Sequence, residues 1–172
     1  SDFGRKQAFL LNETYEDNAS KFTQVHCSDL KRSIDTSFYA MAFPSETGAV
    51  MKSHLLRALN FGDHEGPHFD NLAPSEKLRF SSPDFKAEGG ESWADVRQRA
   101  TTYFKGFGAN QSHLVFTHGG LMASYVNHFF PGEMEEMPSN ASWVGLTLND
   151  DQSGEPASLD FRWDFPYVEE DI

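Results

Sequence analysis

The chain has 172 residues, a length that can bury one hydrophobic core, and 38% of them are hydrophobic and 14% aromatic. The formal net charge of −12 at pH 7 gives a surface that repels nucleic acid and anionic membranes. No run of the sequence approaches the ~20 apolar residues of a transmembrane helix. We therefore expect a single domain over residues 1–172, with no nucleic acid as partner and no membrane span.

The first part of the chain predicts a helix, a strand and a second helix. Segment 2–15 combines good helix formers with an apolar cluster, and segment 21–27 is a short β-rich run. Segment 28–43 places apolar residues at helical spacing, and Ser28 or Asp29 is positioned to cap its first turn.

The stretch from Pro44 to about Lys86 has no such periodicity. It is rich in Gly, Pro, Asp and Ser, which predicts loops with short helical turns. A loop region this long inside a compact domain is typical of a lid or a binding loop.

The rest of the chain predicts, in order, a helix over 89–107, a strand over 112–117, a helix over 118–130 and two strands over 142–165. Ser92 with Asp95 resembles a capping box, and Pro131 ends the third of these elements. Strands that alternate with helices favour an α/β sandwich.

His118 lies at the carboxyl end of a predicted buried strand, where a helix begins. Ligands bind at this edge of open α/β sheets, and the amides of Gly119 and Gly120 would form an anion-binding helix N-terminus. Arg32 lies early in a helix that follows another strand, so it is expected at the same edge, and its planar guanidinium suits phosphate. Each residue alone also fits a structural role. His118 fits a histidine whose ring nitrogens are hydrogen-bonded within the fold, and Arg32 fits a surface ion-pair partner.

The order of five blocks of sequence favours the phosphate-binding roles of these two residues over the structural ones. The blocks are SDFGRKQA (1–8), CSDLKRSIDT (27–36), LRALNFGDHEG (56–66), GGESWADVRQRA (89–100) and VFTHGG (115–120). Together they resemble the histidine phosphatase superfamily, also called phosphoglycerate mutase-like. The resemblance implies a three-layer α/β/α sandwich and phosphoryl transfer without a metal or other cofactor. A first histidine in an Arg-His-Gly motif would become phosphohistidine, while a second histidine and two arginines bind the phosphoryl group. By this resemblance, His118 is the second histidine, Arg32 is one of the arginines, and both join Gly119 in binding phosphate.

The first departure from the family pattern is the absence of the Arg-His-Gly motif, which occurs nowhere in the chain. Ser1 falls where a later family motif is already under way. We therefore expect the sequence to be N-terminally incomplete, with the strand that carries the nucleophile upstream of Ser1. The alternative is a relative that has lost its first strand, with another chain or a distant segment in its place.

The second departure is Ala58, which stands where the family usually has the glutamate that protonates the leaving group. A methyl group cannot donate a proton, and general acid help is typically worth ~10²–10⁴-fold. Asp63 and Glu65 are the candidate substitute acids, with ordinary loop carboxylates as the alternative. His64 is expected to pack, and Glu91, Trp93 and Arg99 to orient the helix and loop beside the site.

Two classes of function remain open. The first is a phosphatase that hydrolyses a small phosphorylated molecule or a phosphoprotein through the upstream phosphohistidine. The second is a catalytically inactive relative that serves as a structural or assembly subunit, or binds a phosphate ligand, with a protein partner or in a homo-oligomer. The chain as given is predicted to be inactive, because it lacks Arg-His-Gly and has Ala58 in place of the acid.

The single cysteine, Cys27, cannot form an internal disulfide, and no spacing of His or Cys is typical of a metal site. No signal or transit peptide is recognisable. These observations favour a reducing, intracellular compartment, either the cytoplasm or the lumen of an organelle.

Overall fold

A computed structural model of the chain describes residues 2–16, 21–41, 50–66, 71, 73–80, 82, 84–134 and 137–163. Its elements, in chain order, are α1 (Asp2–Glu16), β1 (Gln24–Ser28), α2 (Lys31–Ala40), β2 (Met51–Ser53), α3 (Pro74–Arg79), α4 (Trp93–Phe104), β3 (His113–Phe116), α5 (Gly119–Phe129), β4 (Trp143–Leu148) and β5 (Pro156–Trp163). Short 3₁₀ turns cover His54–Leu56 and Gly62–His64. None of the helices within these ranges is both long and apolar enough to cross a membrane.

The strands form two sheets. β1 lies in the middle of a parallel sheet with the order β2-β1-β3, and β4 pairs with β5 in a separate antiparallel hairpin. Among the described residues, β3 is paired only along its β1 edge and β4 only along its β5 edge. Each of these two strands therefore has one edge without a strand partner in this part of the chain.

Side chains of β1 alternate between two layers, as the two-residue period of a strand requires. Val25 and Cys27 point into a core shared with α1 and α2, whereas His26 points toward Tyr103 at the end of α4. The other core joins α4 to α5 around Val96 and Tyr125. Helices thus cover both faces of the parallel sheet, in a three-layer α/β/α sandwich.

The hairpin packs against both of these layers. Trp143 of β4 packs against the core under α1 and α2, and Leu146 packs against the core between α4 and α5. The hairpin is therefore part of the same packed unit as the parallel sheet, although it shares no strand pairing with that sheet.

The predicted helices and strands outside the long loop region are confirmed, as is the capping box, in which the Ser92 and Asp95 side chains and backbone exchange hydrogen bonds. The prediction that Ser28 or Asp29 caps α2 is wrong, because the N-cap is Leu30 and its side chain makes no capping bond. Ser28 Oγ instead accepts from the Leu30 N–H at 3.3 Å.

The described residues between Pro44 and Lys86 form mainly loops and short helical turns, as predicted, but they also include β2. β2 has three residues, which are too few for a two-residue period to be recognised in the sequence. These residues form a strand by pairing with the edge of β1. Residues 44–49, 67–70, 72, 81 and 83 of this region, and residues 164–165 of the predicted last strand, lie outside the described residues.

Candidate functional site

His118 and Arg32 come together at the carboxyl edge of the parallel sheet. His118 lies two residues beyond β3 and is the N-cap of α5, and Arg32 is the second residue of α2, which follows β1. Arg32 Nε donates to His118 Nδ1 at 3.3 Å. Two residues separated by 86 positions in sequence therefore share one site.

The hydrogen bond with Arg32 determines which ring nitrogen of His118 carries the proton. A guanidinium only donates, so Nδ1 must accept, and the proton of the neutral imidazole lies on Nε2. Nε2 is buried and has no hydrogen-bond partner among the described residues. A buried donor without a partner is costly in free energy, and an anion oxygen placed beside Nε2 would satisfy it.

The pKa of His118 is lowered to about 4, chiefly because the ring is buried and further because the cations of Arg32 and Arg99 lie near it, while Asp29 acts in the opposite direction. The imidazole is therefore neutral at pH 7 when no anion is bound. A phosphate beside Nε2 would favour the protonated ring and raise the pKa, because opposite charges attract.

The first turn of α5 adds backbone donors beside His118. The first N–H groups of a helix have no acceptor within the helix, so the amides of Gly119 and Gly120 are available to an anion. A Cβ on Gly120 would lie 3.0 Å from a ring carbon of Trp93, whereas one on Gly119 would make only ordinary contact with Pro138 at 3.4 Å. The absence of a side chain on Gly120 thus lets the tryptophan pack directly against the helix start.

Two side-chain hydrogen bonds hold the end of β3 in place. Thr117 Oγ1 donates to the Leu56 carbonyl at 2.8 Å, and Ser33 Oγ of α2 donates to the Phe116 carbonyl at 2.9 Å. Both bonds anchor the two residues that immediately precede His118, so α2 and the 54–56 turn position the imidazole from opposite sides.

Arg99 connects α4 to the loop that follows the 54–56 turn. Its guanidinium donates to Glu91 at 2.8 and 3.2 Å and to the carbonyls of Leu55 and Ala58 at 2.7 and 2.9 Å. Glu91 also accepts from the Asn60 N–H at 2.9 Å. This geometry agrees with the prediction that Glu91 and Arg99 orient the loop beside the site.

An ion pair between Asp29 and Arg57 was not predicted from the sequence. Arg57 donates to both carboxylate oxygens, at 2.6 and 2.7 Å, which lowers the pKa of Asp29. The sequence pattern indicates only a capping role for Asp29. The sequence signal that points to a role for Asp29 at the site is the position of Asp29 between Ser28, at the end of β1, and the predicted phosphate ligand Arg32.

The candidate substitute acids, Asp63 and Glu65, lie in the loop after Ala58. Glu65 Oε1 accepts from the Phe61 N–H at 3.0 Å, and Asp63 Oδ1 lies 3.3 Å from where a Cβ on Gly89 would be. Each carboxylate thus lies against backbone of its own loop or of the neighbouring one. Their role as acids stays a prediction.

His64 lies edge-on to Phe80, with ring centroids 5.6 Å apart, so it packs as expected. Within the described ranges, no three His, Cys, Asp or Glu side chains are grouped so that they could hold a metal ion.

Comparison with protein families finds a match to the histidine phosphatase superfamily (branch 1) over residues 1–156. Comparison of the sequence with curated proteins gives no match.

Several solved structures share the fold. A mycobacterial glucosyl-3-phosphoglycerate phosphatase in complex with inorganic phosphate has a TM-score of 0.74 and 25% identity, covering 96% of this chain and 86% of that one. "Mycobacterial hydrolase 1" has a TM-score of 0.74 and 25% identity, with 95% and 85% covered. The protein TTHB049 from Thermus thermophilus has a TM-score of 0.69 and 25% identity, with 96% and 84% covered.

Proposed function

Because the chain belongs to the histidine phosphatase superfamily, we propose that it is the phosphate-binding part of a phosphomonoesterase. The observation that carries this proposal is the contact between Arg32 and His118, which leaves the His118 Nε2–H buried at a helix N-terminus with no partner among the described residues. The substrate is a small phosphorylated molecule or a phosphoprotein. The likeness to a phosphatase in complex with inorganic phosphate supports the same chemistry.

In this proposal, the phosphoryl oxygens are bound by His118 Nε2–H, by the guanidinium of Arg32 and by the amide of Gly119. These donors are most useful in the transition state, where negative charge spreads over the phosphoryl oxygens, and removal of one such donor typically costs ~10²–10³-fold in rate. They also matter on a protein with a net charge of −12, because the site must hold an anion against the repulsion of the surface.

The nucleophile is a histidine on a strand upstream of Ser1, as the family resemblance implies. Within the part of the chain that the structure describes, β3 and β4 each have one edge without a strand partner and do not pair with each other, although both belong to one packed unit. These edges support this part of the proposal. Unpaired backbone at such edges is costly when it is buried, and a strand placed between them would satisfy both.

A second candidate function is a catalytically inactive subunit that binds a phosphate ligand and docks on a protein or on a second copy of the chain. Two observations favour it. Ala58 replaces the expected acid, and α1 and α2 expose Phe9, Leu10 and Phe38 on their outer surface. Phe9 and Leu10 line one apolar hollow together with Tyr39, and exposed apolar patches of this kind are typical of protein interfaces.

The experiment that separates the two candidates uses the full-length protein encoded by the gene. It measures hydrolysis of p-nitrophenyl phosphate and formation of an acid-labile, alkali-stable phosphoprotein. The phosphatase proposal expects both signals in wild type, with kcat/KM reduced about 10²–10³-fold in His118→Ala and in Arg32→Ala. Lys31→Gln, next to Arg32 but ion-paired with Asp35 on the exposed surface, is the matched control and should keep full activity.

Hydrolysis that is unchanged by His118→Ala would remove the proposed site. Absence of both hydrolysis and phosphoprotein, together with inorganic phosphate binding that is lost in His118→Ala, would favour the inactive phosphate-binding subunit instead.

A further inference from the structure

The ion pairs of Asp29 with Arg57 and of Glu91 with Arg99 bear on the kind of phosphate that the site can cleave. Asp29 is held by both bonds of the Arg57 guanidinium, and Glu91 is held by Arg99. The pair with Arg57 lowers the pKa of Asp29, so this carboxylate has no proton to donate at neutral pH, and both oxygens of Glu91 already accept from Arg99. Neither group is therefore suited to protonate a leaving group.

The two loop carboxylates differ in their contacts. Glu65 accepts from the Phe61 amide at 3.0 Å, and the Asp63 carboxylate lies beside Gly89. In the conformation described, Glu65 is thus committed to its own loop.

Ala58 belongs to the segment that borders His118. Arg99 donates to the Ala58 carbonyl at 2.9 Å and is also near enough to His118 to lower the pKa of the imidazole. Thr117, the residue before His118, donates to the Leu56 carbonyl. The side chain that this segment contributes at position 58 is a methyl group, which has no proton to give.

Resting on the proposed function, we infer that the substrates are phosphates whose leaving group departs without being protonated, such as acyl and aryl phosphates, rather than phosphates of simple alcohols. The carboxyl edge of the sheet supplies donors to the phosphoryl oxygens through Arg32 and His118. Of the described carboxylates discussed above, Asp29, Glu65 and Glu91 are each held by another donor, and position 58 contributes only a methyl group.

The bond changes are the same for every substrate, and only the leaving group differs. The nucleophilic imidazole nitrogen forms an N–P bond as the P–O bond breaks, and the electron pair stays with the leaving oxygen. A carboxylate or phenolate carries that pair as a stable anion, whereas an alkoxide must receive a proton, a step for which an enzyme acid typically gives ~10²–10⁴-fold. Water then forms an O–P bond as the N–P bond breaks, which releases inorganic phosphate and a proton to solvent.

The test is the dependence of kcat/KM on the pKa of the leaving group, measured on the full-length protein. A series of substituted phenyl phosphates keeps the shape of the substrate nearly constant while the acidity of the phenol changes, and glycerol phosphate represents simple alcohols. We expect kcat/KM to fall steeply as the pKa of the leaving phenol rises, and to be lowest for glycerol phosphate.

Two variants at one position form the matched pair. Ala58→Glu restores a carboxylic acid and is expected to raise kcat/KM for glycerol phosphate about 10²–10⁴-fold while changing it little for p-nitrophenyl phosphate. Ala58→Gln has almost the same size and polarity but no such acid, and its series should stay as steep as that of wild type. The wild-type series alone tests the inference if either variant fails to fold.

The inference is overturned if wild type hydrolyses phenyl and p-nitrophenyl phosphate with equal kcat/KM, since some group then protonates the leaving oxygen. Steepening of such a flat series in His54→Gln would identify that group, because His54 lies near Asp29 and is exposed. Equal gains from Ala58→Glu and Ala58→Gln would also overturn it. Absence of turnover for every ester overturns the proposed function instead, so the two failures are distinguishable.

Discussion

Arg32 Nε donates to His118 Nδ1 at 3.3 Å and thereby joins the second residue of α2 to the N-cap of α5. The bond places a cation directly against a buried imidazole. Burial first, and then this cation, lower the pKa of His118, and the bond to Nδ1 leaves the proton of the neutral ring on Nε2, where it can be donated to an anion.

Removal of the Arg32 charge should change the titration of His118 even when no substrate is present. In Arg32→Gln we expect the pKa of His118 to rise from about 4 toward its ordinary value, because the nearby cation disfavours the protonated ring. The shift should be incomplete, since burial, the largest cause, remains. NMR titration of the histidine ring protons measures it, and Lys31→Gln should leave the pKa of His118 unchanged. A lower pKa in Arg32→Gln would contradict the contact described here.

The bonds of Arg99 should contribute to stability as well as to loop position. Arg99→Met removes the guanidinium that pairs with Glu91 and donates to the carbonyls of Leu55 and Ala58, and the Arg99 side chain is only 12% exposed. We expect a loss of about 2–3 kcal/mol in the free energy of unfolding, measured by urea denaturation.

The matched control for this loss is Arg5→Met. Arg5 pairs with Asp2 one turn away on the surface of α1, with side chains 61% and 89% exposed. Exposed pairs of this kind typically contribute less than ~1 kcal/mol. Equal losses of unfolding free energy in Arg99→Met and Arg5→Met would contradict the prediction, because the buried Arg99 bonds would then stabilise the fold no more than an exposed ion pair.

The two glycines at the start of α5 should respond differently to alanine. Gly120→Ala pushes a methyl against Trp93, which cannot easily move because it is buried and its Nε1 donates to the Phe80 carbonyl at 2.7 Å. We expect a cost of about 1–3 kcal/mol. Gly119→Ala meets only ordinary contacts and should lie within about 0.5 kcal/mol of wild type. Denaturation midpoints compare the two, and a larger loss for Gly119→Ala would refute the packing described here.

Acid should destabilise the fold through a buried histidine cluster between β1, β3 and α4. His26 is 3% exposed and bonds to the Tyr103 hydroxyl at 2.8 Å and to His113 at 2.9 Å, while Phe107 stacks on His113. Burial first, and then the neighbouring His113, lower the pKa of His26 to about 4. Burial lowers the pKa of His113 as well.

A histidine with a pKa lowered in this way binds fewer protons when folded than when unfolded, so stability falls as the pH falls from about 6.5 toward 4. We expect His26 to account for about 2 kcal/mol of lost stability between pH 7 and pH 5. Urea denaturation across this range measures the slope, and His26→Gln, which keeps a polar side chain facing Tyr103, should reduce it. His118 also has a lowered pKa and contributes in the same window, so His118→Gln serves as a second comparison. A slope that is the same in His26→Gln and wild type would contradict the prediction.

Much of the fold could be predicted from short stretches of sequence. The capping box of Ser92 and Asp95 marks the start of α4, and apolar spacing marks α2 and α5. β2 could not be predicted from the sequence, because three residues are too few to show a strand period. They form a strand because they pair with β1. The α2 cap was predicted wrongly because Asp29 reaches a better partner, Arg57, 28 positions away.

The sequence by itself determined the order of the elements, the family to which they belong and the position of His118 at the end of a strand, because periodicity, caps and motifs act over a few neighbouring residues. Only the tertiary structure decided that Arg32 contacts His118, that the proton of the ring lies on Nε2, and that Asp29 and Glu91 are held by Arg57 and Arg99. These features depend on which side chains meet across the sheet edge. Charge pairing and burial acting between distant segments determine that choice, and no local pattern encodes it.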